Sequence, residues 1–181
     1  LKTKPKLFTL SGSTRKNSSN EKLLRAIASE YANEISFENF DLESLPYFSA
    51  GLNPDEMPVS VITFLSEIRA ADAVLICSPE YVFSLPGILK NALEWTVSET
   101  VFSFKPFAFI ILSASGIKAF ESLDLIMSTL LQEEIPTELK LLISGGQGKF
   151  DENGRFTDLK TEAAVFKLIN TLTISLKKNL R

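Results

Sequence analysis

The chain has 181 residues, 45% of them hydrophobic, and carries 19 Lys and Arg against 22 Asp and Glu. That is the size and composition of one folded domain spanning 1–181, and its acidic balance excludes the basic footprint of a nucleic-acid binder. With no histidine and Cys77 as the single cysteine, Ser-His-Asp and Cys-His catalysis, His-ligated metals, internal disulfides and CxxC centres are excluded, and no metal site is expected.

Apolar runs of strand length alternate with segments of helical periodicity. Lys6–Leu10 is the first strand, followed by the polar run SGSTRKNSSN. Leu23, Leu24, Ile27, Ala28 and Tyr31 then recur at helical spacing. Ile35–Phe40 is a second strand, and 41–58 is a long loop holding Pro46, Pro54 and Pro58. Val61, Phe64, Leu65 and Ile68 mark a second helix. Ala73–Cys77 is a continuous apolar strand, as in a parallel sheet covered on both faces. A third helix follows Pro86, with Ile88, Leu89, Ala92, Leu93 and Thr96 on one side. Phe107–Leu112 is the fourth strand. The fourth helix carries Phe120, Leu123, Met127, Leu130 and Leu131. Leu139–Ile143 is the fifth strand. A turn-rich stretch leads to a last helix with Val165, Leu168, Ile169, Leu172 and Leu176, ending near Lys177 and Lys178, whose charge suits the helix dipole.

Strict alternation of this kind predicts a five-stranded parallel sheet with right-handed crossovers and helices on both faces. The three-layer, flavodoxin-like order 2-1-3-4-5 fits best. Such sheets bind ligands beyond the carboxyl ends of their strands, at the switch between strands 1 and 3. The longest apolar run, 107–112, is too short to span a bilayer. No signal-peptide pattern opens the chain, so a cytoplasmic location is expected, with no membrane partner.

The loop after strand 1 is neither GxGxxG nor GxxxxGK[ST], which removes the dinucleotide fingerprint and the NTPase P-loop. It is a run of hydroxyls with Arg15 and Lys16, leading into a helix N-terminus. Backbone N–H groups and the helix dipole favour an anion there. Ser18-x-x-Glu21 also reads as a capping box. A lone phosphate fits better than a pyrophosphate, so a mononucleotide such as FMN is favoured. The loop after strand 3 is stiffened by Pro79 and Pro86, and Gly87 permits close backbone approach. Its exposed amides and Tyr81 suit a flat, hydrogen-bonding ring; Tyr81 and Phe83 can equally pack into the core. Cys77 reads as a buried, inert thiol, Glu80 as a solvated or capping carboxylate rather than a general acid, and 151–154 as a tight turn.

Two motifs are similar to those of the NADPH-dependent FMN reductase family. Gly12-Ser13-x-Arg15-x-x-Ser18-x-Asn20 resembles its phosphate loop. Pro79-Glu80-Tyr81-x-x-Ser84-x-Pro86-Gly87-x-Leu89-Lys90-Asn91-Ala92-x-x-Trp95 resembles its longer signature. The resemblance implies FMN as cofactor and NADPH or NADH as electron donor. It implies that Ser13, Arg15, Ser18 and Asn20 hold the FMN phosphate. It places Pro79, Glu80 and Tyr81 along the isoalloxazine, with Val82 where the family has an Asn. Ser115 and Gly116, in a strand-4 loop with one glycine and no arginine, approach the ring by backbone. It further implies a homodimer or homotetramer with the flavin near the subunit interface. The expected function is electron transfer from NAD(P)H through FMN to a quinone, nitro or azo compound, free flavin or metal oxyanion, with no catalytic acid, base or nucleophile. A flavodoxin-type electron carrier and a flavin-free sensor or scaffold are the alternatives on the same fold. A response-regulator receiver is excluded, because Ser11, Ser13 and Ser78 stand where it needs carboxylates.

Overall fold

The computed structural model describes residues 4–146 and 148–179, the last three of these by backbone alone, so the Lys177 and Lys178 side chains lie outside the described residues. Five parallel strands form one sheet in the order β2-β1-β3-β4-β5. They are β1 (Lys6–Ser11), β2 (Ser36–Phe40), β3 (Ala73–Ser78), β4 (Phe107–Ser113) and β5 (Lys140–Ser144). The helices are α1 (Ser19–Glu30), α2 (Val59–Ala70), α3 (Gly87–Glu94), α4 (Ile117–Leu131) and α5 (Leu159–Asn179). Every strand and helix expected from the apolar pattern is present, with ends shifted by a residue or so.

β3 is buried along its whole length and β4 over all but its last residue. That is the reason their sequences read as continuous apolar runs. Rings tie the helices to the two faces. Tyr31, the C-cap of α1, meets Phe166 of α5 edge-on at 5.9 Å. On the opposite face Phe8 of β1 meets Phe64 of α2 at 6.2 Å, and Phe109 of β4 meets Phe120 of α4 at 5.0 Å. Right-handed crossovers put α3 on the same face as α2 and α4. The long loop after β2 is more ordered than its prolines suggest, because 3-10 turns at Leu42–Ser44 and Pro54–Glu56 punctuate it. It is pinned to α3 by Asn91 and Trp95, which both donate to the Pro46 carbonyl at 3.0 and 2.9 Å. No helix among the described residues is long and apolar enough to cross a membrane.

Candidate functional site

At the carboxyl edge of the sheet, β1 and β3 are neighbours whose crossovers leave in opposite directions, which opens a crevice between their loops. The first loop is held hard against β3. The Gly12 N–H donates to the Cys77 carbonyl at 2.8 Å. A Cβ at Gly12 would lie 2.3 Å from Ser78 Oγ, so only glycine allows the approach. Beyond it the chain folds on itself. Ser11 Oγ accepts from the Ser13 N–H, and Ser13 Oγ accepts from the Arg15 N–H, both at 3.3 Å. Asn17 takes the left-handed conformation, φ 55°, which Asn tolerates. Ser18 then caps α1 by accepting from the Glu21 N–H at 3.1 Å. The expected capping box closes one residue early, since the Glu21 carboxylate accepts from the Asn17 N–H at 2.7 Å.

This loop is a cradle for an anion. α1 leaves its first N–H groups without helical partners at the loop's end. Arg15 and Lys16 are exposed, and neither side chain has a protein partner among the described residues. Both line a cleft of about 500 Å³ that runs toward the β2 edge past Ser13, Phe40 and Asp41. Two of the residues matched to the phosphate loop are turned away from solvent at the start of α1. Ser18 is buried, with its hydroxyl engaged as the cap. Asn20 is buried too, and its amide donates to the Leu112 carbonyl at 3.1 Å. Asn20 Oδ1 is left buried without a partner. An orphaned acceptor suits a hydroxyl or water donor, not a phosphate oxygen.

The second loop is rigid for different reasons. The Glu80 carboxylate accepts from the N–H groups of Gly116, Lys118 and Ala119 at 3.3, 2.8 and 3.0 Å, so it caps α4. Its own N–H donates to Ser113 Oγ at 3.2 Å. The capping role thus replaces any acid–base role for Glu80. Residues 81–84 form a tight turn in which Tyr81 and Ser84 exchange both backbone hydrogen bonds at 3.0 Å. Val82 and Phe83 occupy its tip at φ 51° and 57°. Neither has a hydrogen-bonding partner among the described residues, so two adjacent N–H groups are free. Phe83 is 79% exposed, so it does not pack into the core. Gly87 is exposed with open space around it, so no neighbouring element makes a close approach there.

The family model for NADPH-dependent FMN reductases matches residues 5–137. The chain belongs to that family. An NAD(P)H-dependent FMN reductase of Pseudomonas aeruginosa is 29% identical over 177 residues, 96% of each protein. A 2-hydroxy-1,4-benzoquinone reductase of a Burkholderia species is 37% identical over 115 residues, 62% of each. A flavoenzyme NAD(P)H:(acceptor) oxidoreductase of Paracoccus denitrificans shares the fold, with a TM-score of 0.77 and 24% identity over 96% of this chain and 98% of that one.

The structure puts Ser13 and Arg15 on the loop after β1, Pro79, Glu80, Tyr81 and Val82 on the loop after β3, and Ser115 and Gly116 on the loop after β4, all at the carboxyl edge of the sheet; the cleft is lined by Ser13 and Arg15 and by none of the other six. Gly116 is buried at φ 90°, and a Cβ there would meet Leu142 at 2.7 Å and Ile111 at 2.9 Å. Its N–H is taken by Glu80. This glycine is therefore demanded by packing. The Ser115 carbonyl is bound by Ser144 Oγ at 2.8 Å, so β5 braces the same loop. Beyond the motif matches, Thr14 and Lys16 also line the cleft and Phe83 shares the turn tip with Val82. The signal for Lys16 was its charge beside Arg15; for Phe83 it was the neighbouring Val82.

Proposed function

We propose that this chain is an FMN-dependent NAD(P)H oxidoreductase delivering electrons to a quinone, a nitro or azo compound, free flavin or a metal oxyanion. The observation that carries it is the pairing of an unpartnered cationic cradle at a helix N-terminus with a rigid turn offering two free N–H groups. Membership of the FMN reductase family and relatives named for quinone and flavin reduction support the same reading. Ser13, Arg15, Lys16 and the first N–H groups of α1 hold the phosphate. Ser18 and Asn20 keep the cradle in shape, and Asn20 Oδ1 offers an acceptor to a ribityl hydroxyl. Pro79, Glu80, Tyr81, Val82, Ser115 and Gly116 form the ring side, where the unpaired Val82 and Phe83 N–H groups are available to the ring's acceptor atoms. When bound, FMN supplies two-electron chemistry between a nicotinamide and the acceptor, which asks of the protein binding, orientation and electrostatics rather than an acid or a nucleophile. Cys77 takes no part, being fully buried with burial pushing its thiol well above the ordinary range.

By the family likeness we also infer a homodimer or homotetramer, and a cytoplasmic location, where NADPH or NADH is at hand as donor. The test is a visible spectrum after incubation with excess FMN and desalting, followed by anaerobic NADPH. Retained flavin that bleaches is the expected result. Retained flavin that stays yellow with both NADPH and NADH would mark a carrier instead, and no retained flavin would overturn the assignment.

A further inference from the structure

The tip of the turn after β3 is chemically odd. A two-residue turn with both φ positive is the place for Asn-Gly or Asp-Gly. Here it holds Val82 and Phe83. A β-branched residue in the left-handed region is a steric outlier. Nothing in the fold repays that strain, since Val82 is 93% exposed and touches no core. Tyr81 beside it is 44% exposed and Ile117 is 51% exposed. Ile117 lies between Gly116 and Lys118, whose N–H groups both bind the Glu80 carboxylate. The apolar tip therefore stands on a platform locked to α4, and it cannot collapse onto the core.

We propose that Val82 and Phe83 form the specificity wall of the electron-acceptor site, selecting flat acceptors with apolar substituents over polar ones of the same ring. The proposal rests on the oxidoreductase reading above. In the balanced reaction NAD(P)H and a proton reduce the quinone to the hydroquinone and leave NAD(P)⁺. The wall makes no bond in that exchange; it removes water from the acceptor's substituent. A small acceptor is the occupant that fits. The exposed apolar side chains offer on the order of 400 Å², about half of what each partner buries in a stable protein interface.

The test uses 1,4-benzoquinones with one shared ring, bearing either a butyl or an isosteric 3-hydroxypropyl group, at saturating NADPH and with the flavin-loaded protein. The hydroxyl is insulated from the ring, so the two acceptors have near-equal potentials. The expected kcat/KM ratio favours butyl by about tenfold or more, the cost of pressing an unpaired hydroxyl against an apolar wall. Val82→Asn and Phe83→Ser should each pull that ratio down, and together bring it to within about threefold of unity. The acceptor ratio is the readout because a purely structural role would move both acceptors alike. A ratio near unity in the wild type, or one unmoved in the double variant, would overturn the wall. A change of oligomeric state in Val82→Asn on size-exclusion chromatography would also overturn it, by giving the tip to a second copy. Flavin that is not retained would overturn both this proposal and the oxidoreductase reading, whereas retained and bleaching flavin with a flat acceptor ratio would overturn this one alone.

Discussion

In the loop after β1, each special position is filled by a residue that prefers it. Gly12 sits where a Cβ would strike Ser78, Asn17 takes the left-handed conformation, and Ser18 caps the helix. In the loop after β3 the tip reverses this. Val82 and Phe83 adopt left-handed conformations that their side chains resist, and they do so in solvent. Both loops are fastened, one through Gly12 to β3 and the other through Glu80 to α4. The difference is one of local consistency. Where preference and structure agree, the fold explains the residue. Where they conflict without a packing gain, a function outside the fold is the better account.

The comparison can be broken most strongly at the cradle. Arg15→Ala should weaken FMN binding by about 1.5–3 kcal/mol, roughly ten- to a hundredfold, with the urea midpoint unmoved. Flavin fluorescence titration reads the first quantity, and an unchanged dissociation constant would remove Arg15 from the site. Gly12→Ala should lower stability by about 1–3 kcal/mol through overpacking against Ser78. Glu80→Ala should cost about 1–2 kcal/mol in urea unfolding, because three N–H groups at α4 lose their acceptor. A neutral outcome would mean that solvent serves those groups equally well.

On the strained side the sign is opposite. Val82→Asn should raise stability by about 1 kcal/mol, since Asn tolerates the left-handed region. A loss of stability would show that the turn is not strained. A control outside both loops is Asp158, whose carboxyl is held down to about 2 by hydrogen bonds from Lys149 and then Thr161. A depressed carboxyl stabilises the fold above its ordinary value of 3.8 and loses that contribution as pH falls toward 2. Asp158→Asn should therefore be less stable at pH 6, with the gap narrowing by pH 3. The gap for Val82→Asn should not depend on pH.

The alternation of strands and helices was legible because each buried strand is one apolar run and each helix one stripe; of two plausible sheet orders, 2-1-3-4-5 is the better fit to five strands, and the structure has it. The cradle was legible through Ser18 and the hydroxyl run, which act locally. What sequence could not give was direction. Asn20 lies at the expected place in the chain, yet it turns inward to Leu112. Gly116 resembles a ligand-facing glycine, yet its missing Cβ makes room for Leu142 and Ile111. Glu80 reaches α4 across 36 positions of sequence to Gly116. Each of these depends on which element the crossover brings alongside, and no local pattern encodes that.

The central claim is that the loop after β1 binds a phosphate while the turn after β3 faces the ring. The most direct test compares FMN with riboflavin, which keeps the ring and lacks the phosphate, by fluorescence quenching against the same protein. FMN should bind at least about tenfold more tightly, and Arg15→Ala should shrink that ratio while leaving riboflavin affinity where it was. Equal affinity for the two flavins in the wild type would contradict the account, because the cradle would then contribute nothing to holding the cofactor.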